Sequence, residues 1–175
     1  ILLVSLLIAS SIVYTHSTCT YFGMQYDYIC AASVATDLKC WGHYTNNNFR
    51  GSTSGDKLVP FNMGFTDFKQ MAIGGRHGCY IDNSNVLFCW GNNDNGQVGS
   101  QSSALGIADP VSVLSNVVKV SCGLWHTCAV TTANKLYCWG SDGNGQLGTG
   151  ATNDSSNSPV LVKSSGVVDV ACGGT

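Results

Sequence analysis

Short runs in which apolar and polar residues alternate recur along this chain, and each is closed by a cluster of Gly, Asn, Asp or Ser. The clearest set begins at Val117–Cys122 (VVKVSC). Gly123 breaks that run; Thr127–Thr131 and Lys135–Trp139 then flank a turn at Thr132-Ala133-Asn134. After the polar stretch SDGNGQLG, Val160–Val162 supplies a fourth short β-branched run. Runs that are short, rich in Val, Tyr and Trp, and bounded by turn residues read as β-strands. A helical repeat would need longer stretches with a 3.6-residue period, and none is present. The expectation is an all-β chain built of four-stranded antiparallel units.

The units repeat. Cys30 and Cys40-Trp41-Gly42, Cys79 and Cys89-Trp90-Gly91, and Cys128 and Cys138-Trp139-Gly140 share one spacing, and Trp41, Trp90 and Trp139 stand 49 residues apart. His77 and His126 keep the same interval, as do Gly96-Gln97-Val98-Gly99 and Gly145-Gln146-Leu147-Gly148, and Pro110 and Pro159. After Pro159 the chain runs VLVKSSGVVDVACGGT, which matches VSVLSNVVKVSCGLW after Pro110. A fixed period of this size marks a stacked or radial repeat architecture. Four short antiparallel strands per period describe the blade of a β-propeller.

The spacing of the cysteines fits the hairpins. The midpoints of the three pairs are Ala35, Ser84 and Ala133, each in or beside a turn-forming stretch. A hairpin folded there sets the two cysteines opposite one another on neighbouring strands, close enough for a disulfide. The expected bridges are Cys30–Cys40, Cys79–Cys89 and Cys128–Cys138. Zinc is the alternative, but its ligand pairs are usually separated by two to four residues, and one hairpin pair supplies only two ligands. Cys19, Cys122 and Cys172 are left over. Cys122 and Cys172 occupy matching places in successive repeats, which allows an inter-blade bridge; partners outside this chain are the other reading, and the odd total of 9 cysteines favours at least one of them.

Composition narrows the function. Only 10% of the residues are charged, against about 25% in an ordinary soluble domain, and there is no Glu. A net charge of −2 leaves no basic face for phosphate neutralisation, so nucleic acid is not an expected partner. Nine cysteines are far too many for a reducing compartment. The opening stretch Ile1–Val13 is apolar, too short to span a bilayer and of the size of a secretory h-region. Residues 1–17 are therefore expected to be a leader lacking its first residues, with a buried core segment or an uncleaved anchor as alternatives. Together these place the expected site of action outside the cell or on its surface.

Catalytic chemistry has little to stand on. His77 and His126 are repeat positions, which favours a structural hydrogen-bonding role. No nucleophile elbow, zinc-protease helix or phosphate loop is present. Asp94-Asn95 and Asp142-Gly143-Asn144 sit in Asn-rich loops but lack the Glu and spacing of a calcium loop. Cys122, His126 and Cys128 have a metal-like spacing, yet Cys128 is claimed by its hairpin. No catalytic residue, cofactor or metal is expected. Asn153-Asp154-Ser155 is an acceptor pattern for Asn-linked glycosylation at Asn153.

The stretch VVKVSCGLWHTCAVTTANKLYCWGSDGNGQLGTG, with Pro159 downstream, resembles the repeat of the regulator-of-chromosome-condensation (RCC1) family. The resemblance runs in order through Gly123-Leu124-Trp125-His126-Thr127, Trp139-Gly140 and Gly145-Gln146-Leu147-Gly148. The preceding copy matches through Gly74-Gly75-Arg76-His77, Trp90-Gly91 and Gly96-Gln97-Val98-Gly99. In the first copy Tyr28 stands at the His position, and Asn47-Asn48-Phe49-Arg50-Gly51 replaces the Gly-Gln-Leu-Gly turn, a drift that suits a terminal blade. The resemblance implies a ring of about seven blades, of which residues 18–175 would supply about three as the N-terminal part of a longer propeller. The extra hairpin cysteines are similar to the secreted branch of the family. It further implies a binding scaffold for a protein or glycan ligand, with a membrane link only through an uncleaved leader or a downstream span. Guanine-nucleotide exchange on a small GTPase, a receptor-kinase ectodomain and a secreted enzyme inhibitor are the competing functions.

Overall fold

A computed structural model describes residues 19–25, 28–33, 37–43, 55–152 and 155–174. The expected leader and Asn153 lie outside the described residues, as does the stretch Asn47–Gly51 of the first copy.

Among the described residues twelve strands form three sheets of four, in chain order within each sheet. The first holds β1 (Cys19–Gln25), β2 (Tyr28–Ser33), β3 (Asp37–Gly42) and β4 (Lys57–Asn62). The second holds β5 (Phe68–Ile73), β6 (His77–Asp82), β7 (Leu87–Asn92) and β8 (Gly106–Leu114). The third holds β9 (Val117–Cys122), β10 (His126–Thr131), β11 (Leu136–Gly140) and β12 (Ser156–Lys163). Every neighbouring pair is antiparallel, and among the described residues there is no helix. The β-blade expectation holds for all three copies. The fourth strand is longer than its Val160–Val162 nucleus, because it runs through the proline: Pro110 lies within β8 and Pro159 within β12. These are the outer strands of their sheets, where a missing N–H costs no ladder bond.

The hairpin turns of the second and third blades are set locally. In the second blade the Asp82 carboxylate accepts from the N–H groups of Ser84 (2.9 Å) and Val86 (2.8 Å). Asn85 completes the turn at φ 65° and Asn134 its counterpart at φ 57°, a left-handed conformation that Asn tolerates better than most residues. The register then places Cys30 opposite Cys40, Cys79 opposite Cys89 and Cys128 opposite Cys138. In each pair the Cα atoms are 4.1 Å apart and the sulfurs are bonded.

The core lies between blades rather than inside any one of them. One cluster joins Cys30, Leu38 and Cys40 of the first blade to Phe68, Met71, Ile73 and Trp90 of the second. The next joins Cys79, Leu87, Cys89 and Val98 of the second blade to Val117, Val120, Ala129 and Trp139 of the third. Backbone bonds reinforce the step. Val117 N–H donates to Asn85 O at 2.8 Å, and Val167 N–H donates to Asn134 O at 3.0 Å. Residues 167–172 thus meet the third blade as β9 meets the second.

Gly91 and Gly140 end the Cys-Trp-Gly motif at φ 107° and 104°. A Cβ on Gly91 would lie 2.6 Å from both Arg76 O and His77 Cα, whereas one on Gly143 would meet nothing within 4 Å. Gly91→Ala is therefore expected to destabilise the fold by about 2 kcal/mol or more and Gly143→Ala to stay within about 0.5 kcal/mol of the parent. Denaturant midpoints compare the two directly, and equal losses would contradict this account of the motif.

Candidate functional site: the blade junction and its loop face

The antiparallel order sorts the connections to two ends. Residues 74–76 and 123–125, together with the longer β7–β8 and β11–β12 loops, gather at one end; the tight hairpin turns gather at the other. The first end is the loop face.

The loop after β7 is tied by its own side chains. Asn93, buried, accepts from Val98 N–H at 3.1 Å and donates to Ser102 O at 3.1 Å and Ala104 O at 3.2 Å. Buried Gln97 donates to Asn92 Oδ1 at 2.6 Å and accepts from Asn95 N–H at 2.9 Å. In the third blade Asp142 takes the place of Asn93, accepting from Leu147 N–H at 2.9 Å and from Thr149 Oγ1 at 3.4 Å. The weak calcium signal of these loops thus has a plain explanation, since the buried carboxylate is spent on closing its own loop. In the sequence Asp142 stood out only as a faint calcium candidate, and Asn93 did not stand out. Only their shared place three residues before the Gly-Gln-aliphatic-Gly turn could have singled them out.

The same loop grips the following blade. The Gln97 carbonyl accepts from Thr127 Oγ1 at 2.8 Å and from Trp139 Nε1 at 2.9 Å, and Gln101 N–H donates to Asn157 O at 2.9 Å. Trp139 is therefore an inter-blade residue, as is Trp90 in the preceding junction, where its ring meets Phe65 at 5.0 Å.

His77 completes the latch. Its Nε2 is 2.8 Å from Thr127 Oγ1. Because that hydroxyl already donates to Gln97 O, Nε2 carries the proton and donates to Thr127. Nδ1 is then a buried acceptor without a hydrogen-bond partner, as is Nδ1 of His126. Both rings lie beneath a glycine: a Cβ on Gly74 would meet His77 Cε1 at 2.3 Å, and one on Gly123 would meet His126 Cε1 at the same distance. That contact is the reason for glycine three positions before the histidine. In the first blade Tyr28 spans the junction differently, donating its hydroxyl to His77 O at 2.9 Å.

Burial, and next the neighbouring His126, hold the His77 pKa down to about 3, and burial lowers that of His126 as well. The Thr127 hydroxyl beside the His77 ring is committed to the Gln97 carbonyl. Among the described residues the side chains that gather as metal donors are His77, Cys79 and Cys122, with their donor atoms within 4.8 Å of one another, rather than the sequence-adjacent set Cys122, His126 and Cys128. Cys79 is bonded to Cys89, so two donors remain, fewer than the four of a structural zinc site.

Cys122 and Cys172 are separate thiols, and the inter-blade bridge considered for them is not formed. Each follows its own blade step. Cys122 Sγ–H points to Ala72 O at 3.6 Å, and Cys172 Sγ–H points to Ser121 O at 3.3 Å, so the repeat translates one sulfur onto the other instead of turning them face to face. Cys19 begins β1, its backbone opposite Ser33; its side chain is outside the described residues. On the loop face Arg76 stacks on Trp125 of the next blade, 5.6 Å from the ring centroid.

Repeated four-stranded sheets, the second locked to the third by a loop carbonyl, a histidine and a tryptophan, define a β-propeller repeat protein. Sequence comparison gives the family: descriptions of the Regulator of chromosome condensation (RCC1) repeat match residues 84–130 and 134–175, and also 68–97 and 117–146. The chain belongs to the RCC1-repeat family. No curated protein sequence matches it. Human WBSCR16 is similar in structure, with a TM-score of 0.77 and 26% identity over 89% of this chain and 42% of that one. Prp20p of Saccharomyces cerevisiae, whose structure was described with its binding to Gsp1p and histones, gives a TM-score of 0.76 at 19% identity, covering 89% of this chain and 42% of that one. Yeast RCC1 (Prp20) bound to Kap60 gives 0.77 at 18%, covering 93% and 41%. The chain thus spans about two fifths of the length of these propellers.

The latch carries a pH dependence. An unfolded histidine binds a proton below about pH 6.5, while folded His77 stays neutral down to about 3. Between those values the unfolded state holds more protons, so stability falls with falling pH, by up to about 1.4 kcal/mol per pH unit for this histidine. Thermal unfolding at neutral and mildly acidic pH is expected to show this loss, and His77→Gln, which keeps a donor but cannot titrate, is expected to reduce it. Thr127→Val, which strips the latch of its hydroxyl, is expected to cost about 2 kcal/mol at neutral pH.

Proposed function

We propose that this protein is a secreted or cell-surface RCC1-type propeller that acts as a binding scaffold and presents its loop face to a protein or glycan ligand. The observation that carries the reading is the hairpin bridge recurring at one place in all three blades. Stapling each copy is useful where thiols oxidise and pointless where they are kept reduced. The apolar leader-like stretch Ile1–Val13 agrees with that compartment. The loops fit recognition rather than catalysis. They are polar, exposed at Gln101, Ser103 and Ala104 and again at Thr149–Thr152, and held by buried side chains beneath. A rigid scaffold that varies its loops is a common way to build a binding surface.

Guanine-nucleotide exchange is the second reading, by likeness to the yeast propeller that binds Gsp1p. At that identity the likeness concerns the fold, and fold alone does not select a function. The cysteines argue against a reducing compartment for this chain.

Two measurements test the proposal. Expressed with its natural leader in a eukaryotic host, the full-length protein is expected in the medium, with no free sulfhydryl at the six hairpin cysteines. Retention in the cytosol with those thiols reduced would overturn the extracellular reading. Added to a small GTPase loaded with nucleotide, it is expected to leave the release rate unchanged; acceleration would instead support the exchange reading.

A further inference from the structure

The free thiol of Cys122 has an unusual neighbour. It stands on β9 at the inner side of the third blade, buried, yet its sulfur lies within 4.8 Å of that of Cys79, half of the second blade's hairpin bridge. Both belong to the apolar cluster that joins the two blades. At the next junction the period-equivalent thiol, Cys172, packs against the cluster containing Cys128 and Cys138 and hydrogen-bonds the Cys128 backbone. The first junction lacks it, because the position one period before Cys122 is Ile73.

We propose that Cys79 and Cys122 form a second, latent disulfide site, so that the hairpin staple can be exchanged for a covalent link between blades. In the exchange the Cys122 thiolate attacks Cys79 Sγ, the Cys79–Cys122 bond forms, the Cys79–Cys89 bond breaks, and Cys89 leaves as a thiolate that takes up the proton Cys122 gave to solvent. Sulfur oxidation is conserved, so no external oxidant is needed. Cys128 and Cys172 form the equivalent pair one blade on.

The folded junction keeps the exchange dormant. Burial raises the Cys122 pKa far above its ordinary value, and its proton is held by the Ala72 carbonyl. Since the thiolate is the attacking species, exchange waits for the junction to open, and the link it makes ties together the two blades whose separation released it.

The test uses the full chain with the leaving cysteine removed. In Cys89→Ser, glutathione disulfide first caps Cys79; Cys122 then displaces the glutathione. Mass mapping without reduction is expected to find the Cys79–Cys122 peptide pair and loss of the adduct. Cys138→Ser is expected to yield Cys128–Cys172 likewise. Cys40→Ser is the internal control, in which Cys30 shares its apolar cluster with Ile73 in place of a thiol and keeps its glutathione. An adduct persisting on Cys79 as it does on Cys30, with Cys122 still free, would overturn the proposal. Should Cys89→Ser fail to fold, the parent protein in mild denaturant at mildly alkaline pH gives the same answer. There the expected first non-native pair is Cys79–Cys122 with Cys89 alkylated; alkylation of Cys122 with Cys79–Cys89 intact would refute it.

Discussion

The carbonyl oxygen of Gln97 takes two hydrogen bonds from the following blade, one from Thr127 and one from Trp139. It can do so only because the loop that carries it is closed from within by Asn93 and by its own Gln97 side chain. A four-stranded sheet of this size has two faces and no interior, so its apolar side chains must be covered by the next copy. The blade junction therefore decides the stability of the whole. The aligned carbonyl, hydroxyl, imidazole and indole set the distance and angle at which the apolar surfaces meet.

Several features that look functional in isolation are consequences of that constraint. Histidines at a fixed interval, an acidic residue in a Gly-rich loop and a tryptophan after the second cysteine of each hairpin would each be candidates for chemistry in a single-copy domain. Here His77 donates across the junction, Asp142 closes a loop, and Trp139 seals the interface. Their burial removes them from any ligand and leaves the face above them free to vary. In the proposed function, recognition would fall to exposed loop residues and to the Arg76–Trp125 stack, which the latch holds in place without constraining their identity.

The cysteines divide along the same line. Six lie within hairpins, where each pair is ten residues apart in sequence and the turn alone brings them together. Cys122 and Cys172 lie on the surfaces that blades bury against one another. A hairpin bridge reports on one blade, whereas a thiol at the junction reports on whether two blades are in register. The pairing of a staple with a neighbouring thiol in two successive junctions follows from the period itself.

The period, the strand-turn-strand pattern and the partnership of each hairpin's cysteines could all be read along the chain, because each depends on residues close in sequence and on a repeat that displays the pattern more than once. Strand ends were legible only roughly: β12 extends from Ser156 to Lys163, well beyond its Val nucleus, since an outer edge tolerates residues that a strand-forming pattern excludes. What passes between blades was not legible. The proton on His77 Nε2, the tyrosine reaching His77 O from the first blade and the meeting of Cys122 with Cys79 all join residues about one period apart. Sequence shows that such positions are equivalent but not which atoms touch. That was settled by the rotation from one blade to the next, which the packing of large side chains such as Trp90 and Trp139 sets and no single repeat encodes.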